Sequence, residues 1–124
     1  MLSGFQIVSL TDGLPSMSIT KNGITFNKSA IYKLEKADFV ILLINREIQQ
    51  IAVQKCTPET RDCISFYKPG GRYVTARINN TDFMATIAKM MNWDIQNKVY
   101  KMIGDFLQEE LAIVFDLRKA TILR

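Results

Sequence analysis

The chain has 124 residues, 48% hydrophobic and 23% charged with three prolines, which is the composition of one globular domain rather than of a disordered or low-complexity segment. It carries 16 basic and 12 acidic residues, a net charge of +4, and no histidine. Without histidine this chain holds no Ser/His/Asp or Cys/His nucleophile system and no His-containing zinc or haem site. No phosphate-binding glycine loop of the GxxxxGK[ST] or GxGxxG type occurs either, so catalysis is not expected and binding is.

Residues Phe5 to Leu10 predict a strand or arm, followed by a loop from Thr11 to Ser16 punctuated by Asp12-Gly13 and Pro15. Met17 to Thr20 alternates apolar and polar residues, and Lys21-Asn22-Gly23 supplies a tight turn into Ile24-Thr25-Phe26, which reads as a hairpin. Asn27 is placed to cap a short helix that starts near Lys28 and carries Ala30, Ile31 and Leu34 on one side. The continuous apolar run Phe39 to Asn45 predicts a central strand covered on both faces. A turn at Asn45-Arg46-Glu47 returns it into a strand from Ile48 to Lys55 whose Ile51 and Val53 face the core.

Cys56 and Cys63 bracket a turn-rich segment that would allow a disulfide if the chain doubles back there, but reduced thiols are expected, as in a cytoplasmic protein. That location is also the default for an N-terminus without a basic stretch before an apolar one. The run Phe39 to Ile44 is far short of the ~20 residues of a membrane helix, so a soluble chain with no membrane partner is expected. Ile64 to Tyr67 and Tyr73 to Ile78 then predict strands on either side of the loop Lys68-Pro69-Gly70-Gly71-Arg72.

A second helix is expected from a cap at Asn80 or Thr81 to about Met91, with Phe83, Ile87, Met90 and Met91 on one face. Beyond Trp93, a second hairpin joins Lys98–Ile103 to Leu111–Phe115 through a connection that begins at Gly104-Asp105 and holds Phe106 and Leu107. The basic segment 116–124 reads either as a last strand or as a tail.

The chain thus shows one order twice, over 24–53 and 77–115: a short strand ending in Asn, a helix, and two strands joined by a turn. Lys21 to Leu34 followed by Phe39 to Val53 resembles the AbrB-type swapped-hairpin regulators, and two copies in one chain resemble the duplicated MraZ-type arrangement. That resemblance implies a regulatory DNA-binding role and paired chains. The usual Arg after the turn Gly is Ile24, the Pro before the helix is Asn27, and the Gly-Asp pair is Ala37-Asp38 and Trp93-Asp94. The family's DNA-contacting residues therefore do not transfer, only the architecture. In general character the chain is also similar to small proteins of phages and mobile elements, which implies interaction with a partner.

Among candidate sites, Lys68 and Arg72 sit around two glycines and between Tyr67 and Tyr73, with Arg77 further along. This set suits phosphate and base contacts, with Lys21 and Lys28 as secondary cations. A solvated loop joining two strands accounts for the same residues. Phe106 and Leu107, beside Asp105, Glu109 and Glu110, form either a protein-binding knob or a part of the core. The acids lack the spacing of a metal or acid–base site, and Trp93 with Met84, Met90 and Met91 suits core packing. No cofactor or metal is implied.

The reading is a single α+β domain of two β-α-β-β repeats forming a compact, mainly antiparallel sheet or barrel with two helices. Its function is binding, to nucleic acid as a small regulatory protein or, alternatively, to a protein partner as an inhibitor or interaction module. A homo-oligomer is a third expectation.

Overall fold

The computed structural model describes residues 2–5 and 13–123. Among these, nine strands and two α-helices follow in the order β1 (Ser16–Thr20), β2 (Gly23–Phe26), α1 (Lys28–Lys33), β3 (Phe39–Asn45), β4 (Gln50–Cys56), β5 (Ile64–Ser65), β6 (Ala76–Ile78), α2 (Thr81–Met91), β7 (Val99–Leu107), β8 (Ala112–Asp116) and β9 (Thr121–Leu123). A one-turn 3-10 helix, Leu117–Lys119, separates β8 from β9. The main strand order is β5-β3-β4-β8-β7-β1-β2-β6, with β9 added on β7, and every pairing is antiparallel. The result is an α+β fold with a nearly closed, barrel-like sheet. Among the described residues no helix is long and apolar enough to cross a membrane.

Local chemistry accounts for the first hairpin and helix. Lys21 and Asn22 alone connect Thr20 to Gly23, and Gly23 enters β2 at φ 139°, a conformation a side chain would resist. Asn27 then does three things with one side chain. Its Oδ1 accepts from the Ala30 amide (2.9 Å) and from the Ser16 amide (3.0 Å), while its Nδ2 donates to the Leu14 carbonyl (2.9 Å). The cap therefore starts α1 and also ties the entry of β1 to the exit of β2. Asn80 caps α2 more simply, accepting from the Phe83 amide at 3.0 Å, and α2 ends at Asn92 in the left-handed region.

The strands place Met17, Ile19, Ile24, Phe26, Ile51, Val53, Tyr100, Met102, Ile113 and Phe115 on the inner face, where Ile31 and Leu34 near α1 and Ile87 of α2 complete the core. Phe26 sits between Phe66 and Phe115, with ring centroids 5.1 and 6.1 Å away. Burial of a side chain this size stabilises the fold by about 1.5–3 kcal/mol. Trp93 lies flat on Tyr100 at 4.2 Å, and the Tyr100 hydroxyl accepts from the Asp94 amide, which fixes the connection after α2.

Several expectations change. The strand expected over Phe5 to Leu10 lies outside the described residues except for Phe5, which is exposed and in no strand. β3 is not covered on both faces: Val40 is fully buried, but Leu43 is 43% exposed. The strands flanking the Pro69-Gly70-Gly71 loop shrink to Ile64–Ser65 and Ala76–Ile78, because that loop extends back to Phe66 and forward to Thr75. Gly104-Asp105 is not a turn; β7 runs through it to Leu107, and the turn follows at 108–111. Of the two readings of the segment 116–124, the strand holds: β9 pairs with Val99–Lys101. Cys56 and Cys63 are free thiols, as expected.

Candidate nucleic-acid interface

Strand alternation decides which cations face outward. In β7, Tyr100 and Met102 are buried and Lys101 between them is exposed; in β6, Ala76 and Ile78 are buried and Arg77 between them is exposed. Register then joins them. Thr121 pairs with Lys101, Lys101 with Ser18, Ser18 with Thr25, and Thr25 with Arg77. These five side chains form one row across the outer face of β9, β7, β1, β2 and β6, with a cation near each end and hydroxyls between. From Lys101 to Arg77 the row crosses three strand spacings, about 14 Å.

Lys21 lies at the β1–β2 turn on the same half of the barrel, beside the segment Ile95 to Val99 that leads into β7. Lys119 stands with Lys101 and Thr121 around a cleft of about 450 Å³ that also includes Ile103, Asp105 and Asp116. Arg118 holds Asp116 through Nε and Nη2, each at 3.0 Å, and this pairing lowers the carboxyl below the ordinary carboxylate range. Its charge is therefore already balanced. Among the described residues the ion pairs are Lys55–Glu35, Arg61–Asp62 and Arg118–Asp116, so Lys21, Arg77 and Lys101 form no ion pair with a described carboxylate.

The remaining expected contacts are dispersed. Lys68 and Arg72 are exposed on the loop between β5 and β6, outside the row. The Arg72 guanidinium lies 5.5 Å from the Tyr73 ring, and Tyr73 is 72% exposed. Tyr67 packs on the core instead, which leaves Tyr73 alone of the flanking pair open for stacking. Lys28 begins α1 at the opposite end of β2 from Lys21, and both Lys28 and Lys36 lie over Tyr32, at 5.7 and 5.1 Å.

Phe106 and Leu107 end β7 rather than form a loop tip. Phe106 is half-buried against the core with the Lys33 ammonium 5.4 Å above its ring, and Leu107 is 45% exposed. Lys101 and Lys119 were not among the residues expected from the sequence. The buried–exposed alternation around Lys101 is visible in Tyr100-Lys101-Met102, but its alignment with Arg77 depends on the register of four strand pairs.

The chain matches no protein-family model, no curated protein and no solved structure.

Proposed function

We propose that this protein binds nucleic acid without catalysis, through phosphate and sugar contacts on the outer face of β9-β7-β1-β2-β6. The supporting observation is the row Thr121–Lys101–Ser18–Thr25–Arg77, in which two cations bracket hydroxyl donors on a rigid sheet. Lysine and arginine supply attraction that is independent of sequence, and hydroxyls add hydrogen bonds to phosphate oxygens. No aromatic side chain belongs to the row, so the contacts fix position on the polymer without reading bases. Such a protein acts as a small regulator through occupancy.

This reading also takes β2-α1-β3-β4 and β6-α2-β7-β8 as two related halves. In support, β2 pairs with β6 about the Thr25–Arg77 pair and β4 pairs with β8 about the Ala52–Val114 pair, as a two-fold relation between repeats requires. Under that relation Thr25 and Arg77 hold equivalent positions, and the basic residue appears on one half only.

The test is fluorescence anisotropy with a labelled mixed-sequence duplex. Arg77→Ala and Lys101→Ala each weaken binding, the double variant more so, with unchanged circular dichroism. Equal affinity of the double variant and the parent removes the row from the interface.

A further inference from the structure

Among the described residues, every intermediate strand on the path from β5 to β6 has a neighbour on both sides, and β5 and β6 have one each. Yet both line a single cleft of about 430 Å³, with Ile64 and Ser65 on one wall and Arg77, Ile78 and Asn79 on the other. The barrel is therefore open along one seam among the described residues, and its two strand edges without a described partner face each other there.

Hydrogen-bond alternation shows what those edges present. The Asn27 amide donates to the Ser16 carbonyl at 3.1 Å, which makes Ser18 and Thr25 a hydrogen-bonded pair two residues on. Thr25 directs its amide and carbonyl at β1, so Thr25 and Arg77 are a non-hydrogen-bonded pair, and Arg77 directs its own amide and carbonyl away from β2 into the seam. On the other wall the Phe66 amide donates to the Asp38 carbonyl at 2.8 Å. Ser65, opposite Phe39, is therefore also a non-hydrogen-bonded partner and points its amide and carbonyl into the seam. Each wall thus offers one backbone donor and one acceptor of a strand ladder.

We propose that this seam takes an extended segment of a partner protein as an added strand, antiparallel to β6, with an acidic side chain opposite Arg77 and an apolar side chain on each side of it. The strand directions exclude a single insert antiparallel to both walls, because the alternation along the path leaves β5 and β6 antiparallel to each other. β6 is the template: it is the longer edge, and its antiparallel ladder is the more stable kind. The residue opposite Arg77 faces outward beside a guanidinium with no described carboxylate partner, a site for a cross-strand charge pair. Residues one position to either side face inward beside Ala76 and Ile78, which are 3% and 4% exposed, and so must be apolar. The loop joining the two edges adds Lys68 and Arg72 near one end, against the single rim acid Asp82. Main-chain bonds would carry the affinity and the alternate side chains the specificity.

This proposal is independent of nucleic-acid binding, although the two share Arg77 and an acidic segment would displace a duplex. The probe is a fluorescein-labelled peptide of alternating valine and glutamate flanked by glycine and serine, titrated with the full chain. Saturable binding is expected, weakened about tenfold or more, ~1.4 kcal/mol per decade, by N-methylating alternate backbone amides or by exchanging glutamate for lysine. The Arg77→Glu variant should lose the glutamate peptide and gain the lysine peptide, a reversal that a misfolded variant cannot produce. Equal affinity for the N-methylated peptide, or Arg77→Glu without reversal, overturns the proposal. So does a dimer that Arg77→Glu dissociates and the peptide cannot compete with, since a second copy would then be the occupant.

Discussion

Gly104 pairs with Phe115 across the β7–β8 ladder, and a β-carbon at Gly104 would stand 2.7 Å from Cε1 of that ring and 2.5 Å from Cγ2 of Ile113. Both neighbours are fully buried, so neither can swing away. At Gly104 the pairing of β7 with β1, which covers Tyr100 to Ile103, ends and its pairing with β8, over Gly104 to Leu107, begins, and the bare backbone lets the side chains of β8 close over the corner. Gly104→Ala is expected to lower the free energy of unfolding by about 1–3 kcal/mol through overpacking. Urea denaturation measures this, and Ile113→Ala in the same chain should restore part of the loss relative to the sum of the two single changes.

The two asparagine caps should differ in cost. Asn80→Ala removes one bond, to the Phe83 amide, and is expected to cost about 1 kcal/mol. Asn27→Ala removes the bonds to Ala30, Ser16 and Leu14 together, leaving partly buried backbone groups unmatched, and should cost roughly 2–3 kcal/mol. Asn27→Asp keeps both acceptor bonds and loses only the donor, so its stability should fall between Asn27→Ala and the parent in thermal melts.

Much of this local chemistry is legible in the sequence. The turn Lys21-Asn22-Gly23, the helix-capping bonds of Asn27 to Ala30 and of Asn80 to Phe83, and the uninterrupted run of β3 each act within a few residues of their own position, and each element appears where expected, whereas the bonds of Asn27 to Ser16 and Leu14 depend on the hairpin. The misreadings occur where a residue answers to distant partners. Gly104-Asp105 has turn chemistry, but Ile113 and Phe115 dictate the glycine. Leu43 belongs to an apolar run yet is left exposed, since only one face of β3 meets the core. The cation row was hidden for the same reason: Lys101 and Arg77 are 24 residues apart in sequence and meet only through register.

Acid should weaken the β8–β9 junction in a defined direction. Arg118 bonding depresses the Asp116 carboxyl below its ordinary value, so its stabilising contribution is present above the unfolded pKa and is lost as pH falls through the folded one. Asp116→Asn keeps an oxygen for the Arg118 amide, which Asp116 accepts at 3.0 Å, and removes the charge together with the acceptor of the Arg118 Nη2 bond. The urea midpoint of the parent should exceed that of the variant at neutral pH, and the gap should close below the carboxylate range. A gap independent of pH would assign the effect to the hydrogen bond alone.

Burial and then the nearby Cys63 raise the Cys56 thiol above its ordinary value. At neutral pH the nucleophilic thiolate is therefore scarce at Cys56, and its alkylation by iodoacetamide should be slower than in a short peptide around the same residue. Mass spectrometry of peptides after timed quenching follows this rate. The Cys63→Ser variant should react faster at Cys56 than the parent does, because one of the groups raising that thiol is gone.

The most direct measurement of the phosphate-binding account is the dependence of duplex affinity on salt. Each phosphate contact contributes about −0.9 to the slope of log K against log salt, so two to four contacts by Lys101, Arg77 and their neighbours predict a slope of about −2 to −4. The Arg77→Ala, Lys101→Ala double variant should flatten that slope by about two, roughly one for each cation removed. A slope near zero, or one that the double variant leaves unchanged, would contradict the assignment of this face to nucleic acid.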